Sequence, residues 1–212
     1  ALNDLANVDA AEGAFASARA RLEQAGELFR KGGHRRMGFV NAVNLADLLL
    51  MSGALEDAVS LCRDTLDSEE IEDASVRMTV HSNLAAGLAL LGRHADAIPS
   101  ARVALLGASE AGDRYALACV LPVVALIAIG SDDSDSGARL LRASDALRDE
   151  VGGVLEPTEE IVHRAVSAGI GGEGSPLASQ PIEDVSMEAL ELLDKWAPPR
   201  TSNSQRVSKS FP

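Results

Sequence analysis

The chain is poor in rings, thiols and positive charge. Aromatic residues make up 3% of its 212 positions, against 46% hydrophobic residues overall. A core so short of rings has to be built from Ala, Leu, Val and Ile, which suits close helix–helix packing better than a β-sandwich. Two cysteines are present, Cys62 and Cys119, too few and too far apart for a disulfide framework or a metal motif. Both fall inside helical patterns, where a free cysteine acts as a small buried hydrophobe, and a reducing cytoplasm is the expected compartment. Basic residues number 19 against 32 acidic ones, a net charge of −13. Such a surface repels phosphate backbones, so no direct nucleic-acid contact is expected. Long apolar runs are missing as well. The most apolar stretch, Ala116 to Ile129, is interrupted by Pro122 and falls short of the roughly 18 residues of a membrane-spanning candidate, so no membrane partner is expected. The start carries no basic segment of the kind that opens a secretory signal. Its first residue is Ala1 rather than Met, as in a fragment of a longer protein.

Catalytic and metal signatures are equally sparse. A literal G-x-G-x-x-G runs from Gly169 to Gly174, but it follows a helical segment and leads into Ser175-Pro176. The dinucleotide fingerprint needs a strand before it and a helix after it, so a loop is expected here. The histidines, at 34, 81, 94 and 163, form no H-x-x-x-H or H-E-x-x-H pair and are expected at surfaces or helix starts. The run Asp132-Asp133-Ser134-Asp135 lacks the glycine and glutamate of an EF-hand loop and suits helix capping instead. No phosphate-binding loop and no G-x-S-x-G nucleophile elbow occurs. No catalytic residue, cofactor or metal is therefore expected, and the chain is not expected to be an enzyme.

What is present is a repeat. Asn83–Ala101 reads as an apolar helix, a turn at Gly92 and a second helix opened by Arg93-His94-Ala95. The same skeleton occurs at Asn44-Leu45-Ala46, Gly53 and Ala58, and at Asp4-Leu5-Ala6, Gly13 and Ala18. In each copy the glycine lies nine positions after the first residue and the alanine five after the glycine. The copies start at 4, 44 and 83, a period of about 40 within the range of helical solenoids.

Along the chain, helices are expected over 1–11, Ala14–Arg30, Arg35–Met51 and Ala54–Leu66, with the acidic link Asp67-Ser68-Glu69-Glu70 favouring the next helix start. The third repeat spans Asp73 to Ala111. Pro99 predicts a kink or a delayed start in its second helix, and Pro122 a bend in the helix from Arg114 to Ile129. Asp135 or Ser136 is the expected cap of the helix that ends near Val151. Pro157 opens a helix ending at Gly169, with Glu159 and Glu160 in its first turn. A Gly/Ser/Pro loop over 171–185 precedes a short amphipathic helix from Ser186 to Trp196. The expected divisions are helical repeats over 1–151, capping helices over 152–196 and a polar tail over 197–212, disordered unless docked.

An Asn/Leu/small triplet, a glycine nine positions on and an alanine five beyond that resemble the tetratricopeptide (TPR) repeat. The resemblance covers residues 1–111 well and 112–151 loosely. It implies an all-α fold, a right-handed α-solenoid of helical hairpins. It departs from the family in its period, near 40 rather than 34. It also departs in the proline that usually ends the second helix, where Arg30, Glu70 and Ser109 stand instead. Long repeats of this kind, followed by a segment such as Ala138–Gly152, are similar to the C-terminal region of large bacterial regulators. Those pair signal-transduction ATPase modules with cyclase or LuxR-type DNA-binding domains. The resemblance implies a sensor or protein-interaction arm, with a stand-alone adaptor binding an amphipathic helix as the alternative. It also implies a concave groove lined by Val40, Val43, Asp47, Leu50, Met51, Thr79, Ser82, Ala86, Ala89 and Leu90. That set carries no basic residue, which argues against a carboxylate clamp and for an apolar helix or peptide partner. Two alternatives stand beside it: the ten residues are core, or the chain's own C-terminal helix, with Leu190, Leu193 and Trp196 on one side, fills the groove.

Overall fold

The computed structural model describes residues 1–68, 71–170 and 181–198. Among these the chain forms ten α-helices and no strand: α1 (Leu2–Ala11), α2 (Phe15–Lys31), α3 (Arg35–Met51), α4 (Leu55–Asp67), α5 (Ala74–Leu90), α6 (His94–Glu110), α7 (Arg114–Gly130), α8 (Ser134–Val151), α9 (Pro157–Ile170) and α10 (Ile182–Trp196). Consecutive helices pack on one another from α1 to α9, giving an all-α, solenoid-like stack of hairpins.

The turns set the period. After each of α1, α2, α3, α5, α6 and α8 a glycine holds a positive φ (Gly13, Gly33, Gly53, Gly92, Gly112 and Gly152, between +61° and +77°). Its N–H bonds back three residues and the next N–H bonds back five, as in Gly92→Ala89 and Arg93→Leu88. This is the Schellman closure, which satisfies the orphan carbonyls of a helix end and requires a left-handed residue. After α7 that residue is Asp132, at φ 61°. α2, α3, α5, α6 and α7 each have 17 residues. With three-residue turns, each helix and its turn advance the chain by about 20, and each hairpin by about 40. The long period therefore comes mainly from long helices. Glu69 and Glu70 of the acidic link lie outside the described residues; beyond them Asp73 caps α5, accepting from the Ser75 and Val76 amides.

The repeat skeleton is the packing skeleton. The alanines five residues after each turn glycine, Ala18, Ala58 and Ala97, are wholly buried. So are the small residues of the triplets, Ala6, Ala46 and Ala85, none above 2% exposed. Only small side chains fit where paired helices cross this closely. At Gly87 an added Cβ would stand 2.9 Å from Val59 Cγ2, so even alanine is too large there. The α7–α8 hairpin keeps the same register with other residues: Val123-Val124-Ala125, Asp132 and Gly137. A Cβ on Gly137 would meet Ile129 Cγ1 at 2.9 Å. One main core runs from Ala46 to Leu193, and a small separate cluster of Ala6, Ala18, Leu22 and Leu48 holds the first hairpin.

Several expectations need correction. α6 starts at His94, so its start is not delayed, and the helix continues past Pro99, as α7 does past Pro122. Packing on both sides holds these helices despite the missing donor. The cap of α8 is Asp133, which accepts from the Ser136 amide, so Asp135 and Ser136 fall inside the helix. α10 begins at Ile182 and lies on α6, α7 and α8, not in the groove. Val185, Ala189 and Leu193 are its buried face, and Arg102–Asp194, Arg139–Glu188 and Lys195–Asp133 ion pairs tie its rim. The last four residues of the G-x-G-x-x-G run and residues 199–212 of the tail lie outside the described residues.

Candidate ligand chamber on the inner face

The first helices of the hairpins form a continuous row. α1 touches α3, α3 touches α5 and α5 touches α7, whereas among the described residues the backbones of α2, α4, α6 and α8 do not approach one another, α2 and α4 being bridged at their surface by the Arg19–Asp57 ion pair. A stack whose inner row touches and whose outer row splays curves toward the inner row. α9 turns back into that inner face, packing on α7 and α8 and reaching α3 and α5. Val162 and Val166 are its buried residues. Between α9 and the row a chamber of about 710 Å³ remains.

Each wall contributes in sequence order. α1 presents Ala6, Asn7, Ala10 and Ala11, α3 presents Asn44, Asp47, Leu48 and Met51, and α5 presents Met78, Thr79, Ser82, Asn83 and Ala86. α7 adds Tyr115, Ala116, Cys119, Val120 and Val123, and the start of α9 adds Glu156, Thr158, Glu159 and Val162. Of the ten expected groove residues, Asp47, Met51, Thr79, Ser82 and Ala86 line this chamber. Leu50 and Ala89 belong to the main core, at 1% and 2% exposure. Leu90 and Val43 pack half-buried against that core, and Val40 is half-buried on α3 away from the chamber.

How α9 comes to sit there follows from a proline. Pro122 has no N–H to offer the carbonyl of Ala118, four residues earlier. Ser144 Oγ takes that carbonyl at 2.6 Å and the Arg148 guanidinium approaches it at 3.4 Å, both from α8. Arg148 is 5% exposed, so its charge has to be matched. It lies 3.5 Å from Glu159 of α9 and 3.5 Å from Asp145. Glu159 in turn accepts the Glu156 amide at 3.1 Å, the reach-back of a third-position glutamate to its helix cap. The proline, the buried arginine and the cap of α9 form one chain of contacts ending at the chamber wall.

The electrostatics of the chamber centre on Asp47. Its Oδ1 accepts from Asn83 Nδ2 at 2.9 Å. Burial pushes its carboxyl up to about 6, Glu159 and Glu156 add to the rise, and only Asn83 opposes it. Burial also raises the thiol of Cys119 and the phenol of Tyr115, with Glu159 reinforcing both. Cys62, behind Asp47, is pushed to about 12. At neutral pH the two thiols and the phenol are therefore uncharged donors rather than nucleophiles. The histidines stand outside the chamber. His94 opens α6 against Gly130, and His163 meets Asp145 at 3.1 Å.

Comparison with known proteins adds no relative. No family model, curated protein or solved structure matches the chain. The site therefore stands on its own geometry. Tyr115, Cys119, Glu156 and Glu159 were absent from the expected groove because a hairpin-repeat register does not show a later helix folding back onto the inner face. Asn83 was legible as the head of its triplet, though not as the partner of Asp47.

Proposed function

We propose that this chain is a non-catalytic, TPR-like sensor or protein-interaction arm of a larger bacterial transcriptional or signalling regulator, acting in the cytoplasm. The observation that supports this reading most directly is the chamber itself. Stacked hairpins build a wall of small apolar residues, and a few polar groups (Asp47, Asn83, Thr79, Ser82) converge on it, the composition of a binding site. Its thiol and phenol are held protonated, which favours recognition over covalent chemistry. The net charge of −13 disfavours direct contact with nucleic acid. Among the described residues no helix is long and apolar enough to cross a membrane.

The natural reading frame tests the context. A phosphate-binding loop upstream or a DNA-binding segment downstream is the expected finding; a frame holding only these repeats contradicts it. That second outcome favours a stand-alone adaptor for amphipathic helices. The seating of α9 across α3, α5 and α7 supports the adaptor, because it shows that this face accepts a helix. Substituting Val166→Asp should release α9, and a peptide spanning residues 157–170 added in trans should then bind. Absence of binding contradicts the adaptor reading.

A further inference from the structure

We infer that the chamber is built for a small amphipathic organic cation, an ammonium group carried on an apolar body. The inference rests on reading the chamber as a ligand site and adds the chemical class of the ligand. About 710 Å³ is a volume typical of small-molecule sites. Leu48, Met51, Met78, Ala86, Val120 and Val123 supply an apolar lining. The charged groups on the wall are all acidic, Asp47, Asp113, Glu156 and Glu159, and no Lys, Arg or His lines it.

These carboxylates differ in how they are matched. Glu159 has Arg148, and Asp113 caps α7 by accepting from the Ala116 amide. Asp47 has the Asn83 amide on one oxygen, and among the described residues neither a cation nor a second hydrogen-bond donor answers its charge. A carboxylate in such a place costs free energy until a positive group arrives. An anion is repelled by four acidic side chains, and a neutral ligand leaves Asp47 uncompensated. An ammonium group both donates to the open oxygen and neutralises the charge. Tyr115, 39% exposed, also lines the chamber. A metal ion fits less well, since no three His, Cys, Asp or Glu side chains among the described residues are placed to hold one.

Asp47 also makes binding pH-dependent. Facing it are Asn83 of α5, Glu156 just before α9 and Glu159 within it, with the Cys62 thiol behind. None of these is cationic, so protonation of Asp47 near pH 6 removes the charge the ligand recognises, and affinity falls as pH drops through that value.

Calorimetric titration of the full chain with phenethylammonium and n-octylammonium, beside 2-phenylethanol and 3-phenylpropionate, tests this. The ammonium probes should bind at pH 7.5, the alcohol and the carboxylate at least tenfold more weakly. Asp47→Asn should lose at least tenfold in affinity while keeping its helical circular dichroism, and Glu156→Gln should lose less. Failure of both ammonium probes to bind, or an Asp47→Asn variant that binds them as well as the parent, overturns the inference. Equal binding of 2-phenylethanol and phenethylammonium overturns the cation assignment while leaving the chamber a ligand site, so the two readings fail separately.

Discussion

Leu5 and Leu84 hold the same place in the repeat, yet Leu5 is 47% exposed and Leu84 6%. Leu45, in the copy between them, is half-buried. The gradient follows the number of neighbours. α1 lies at the end of the row and, among the described residues, packs on α2 and α3 alone, whereas α7 is covered by α5, α6, α8, α9 and α10. A hairpin of a solenoid cannot bury both faces alone, so identical sequence does different work at the end and in the middle. Val8 and Leu28 of the first hairpin are also half open, each at 54%.

The largest effect should come from truncation in the middle. Leu121 is wholly buried on α7, and Leu121→Ala should cost about 2–5 kcal/mol in chemical denaturation, shifting one cooperative transition. Leu22, in the small end cluster, should cost toward the lower end of that range, and Leu22→Ala should loosen the first hairpin before the rest. An equal loss at both sites, with a single transition in each, would break the comparison.

Arg148→Met tests how α9 is held. It removes the cation beside Glu159 and one of the two donors to the Ala118 carbonyl. The pair is long and Glu159 partly open, so a loss of about 1–3 kcal/mol is expected, below the range for a fully buried pair. Hydrogen exchange should rise in α9 and stay unchanged in α1 and α2.

Asp47→Asn should act with the opposite sign. The folded chain holds this carboxyl at about 6 against an ordinary 3.8, so folding favours its protonated form. The resulting penalty is absent below about pH 4, grows between 4 and 6, and is complete above 6. Asparagine should therefore stabilise the chain by on the order of 1–3 kcal/mol at pH 7 and by almost nothing at pH 4. A variant destabilised at both values would show that Asp47 is a structural anchor rather than an unmatched charge.

The smallest effect concerns the turns. Asp132 holds the left-handed position that glycine takes after six other helices. Relief of that strain in Asp132→Gly should raise stability by up to about 1 kcal/mol in thermal denaturation. A loss would mean the aspartate makes a compensating contact.

The hairpins were readable because their spacing repeats: triplet, glycine and alanine recur at the same offsets three times, and all three buried alanines follow. The fourth hairpin was not readable as a copy, since Val123-Val124-Ala125, Asp132 and Gly137 preserve size and backbone geometry while changing nearly every identity. The chamber was half readable. Its α3 and α5 wall follows from the register, as Asp47, Met51, Thr79, Ser82 and Ala86 show. The wall made by α9 depends on contacts far apart in sequence, and nothing periodic announces that Pro122 frees a carbonyl for Arg148. Leu190, Leu193 and Trp196, the expected apolar side of α10, all pack against the main core, but amphipathicity alone does not choose between an inner and an outer seat.

The central claim is that α9 closes the inner face of the stack and makes the chamber. Segment-resolved amide hydrogen exchange of the full chain tests it most directly. α9 should be protected at a level approaching α7, well above α1. Exchange of α9 as fast as α1, with α7 fully protected, would contradict it and leave an open groove in place of a chamber.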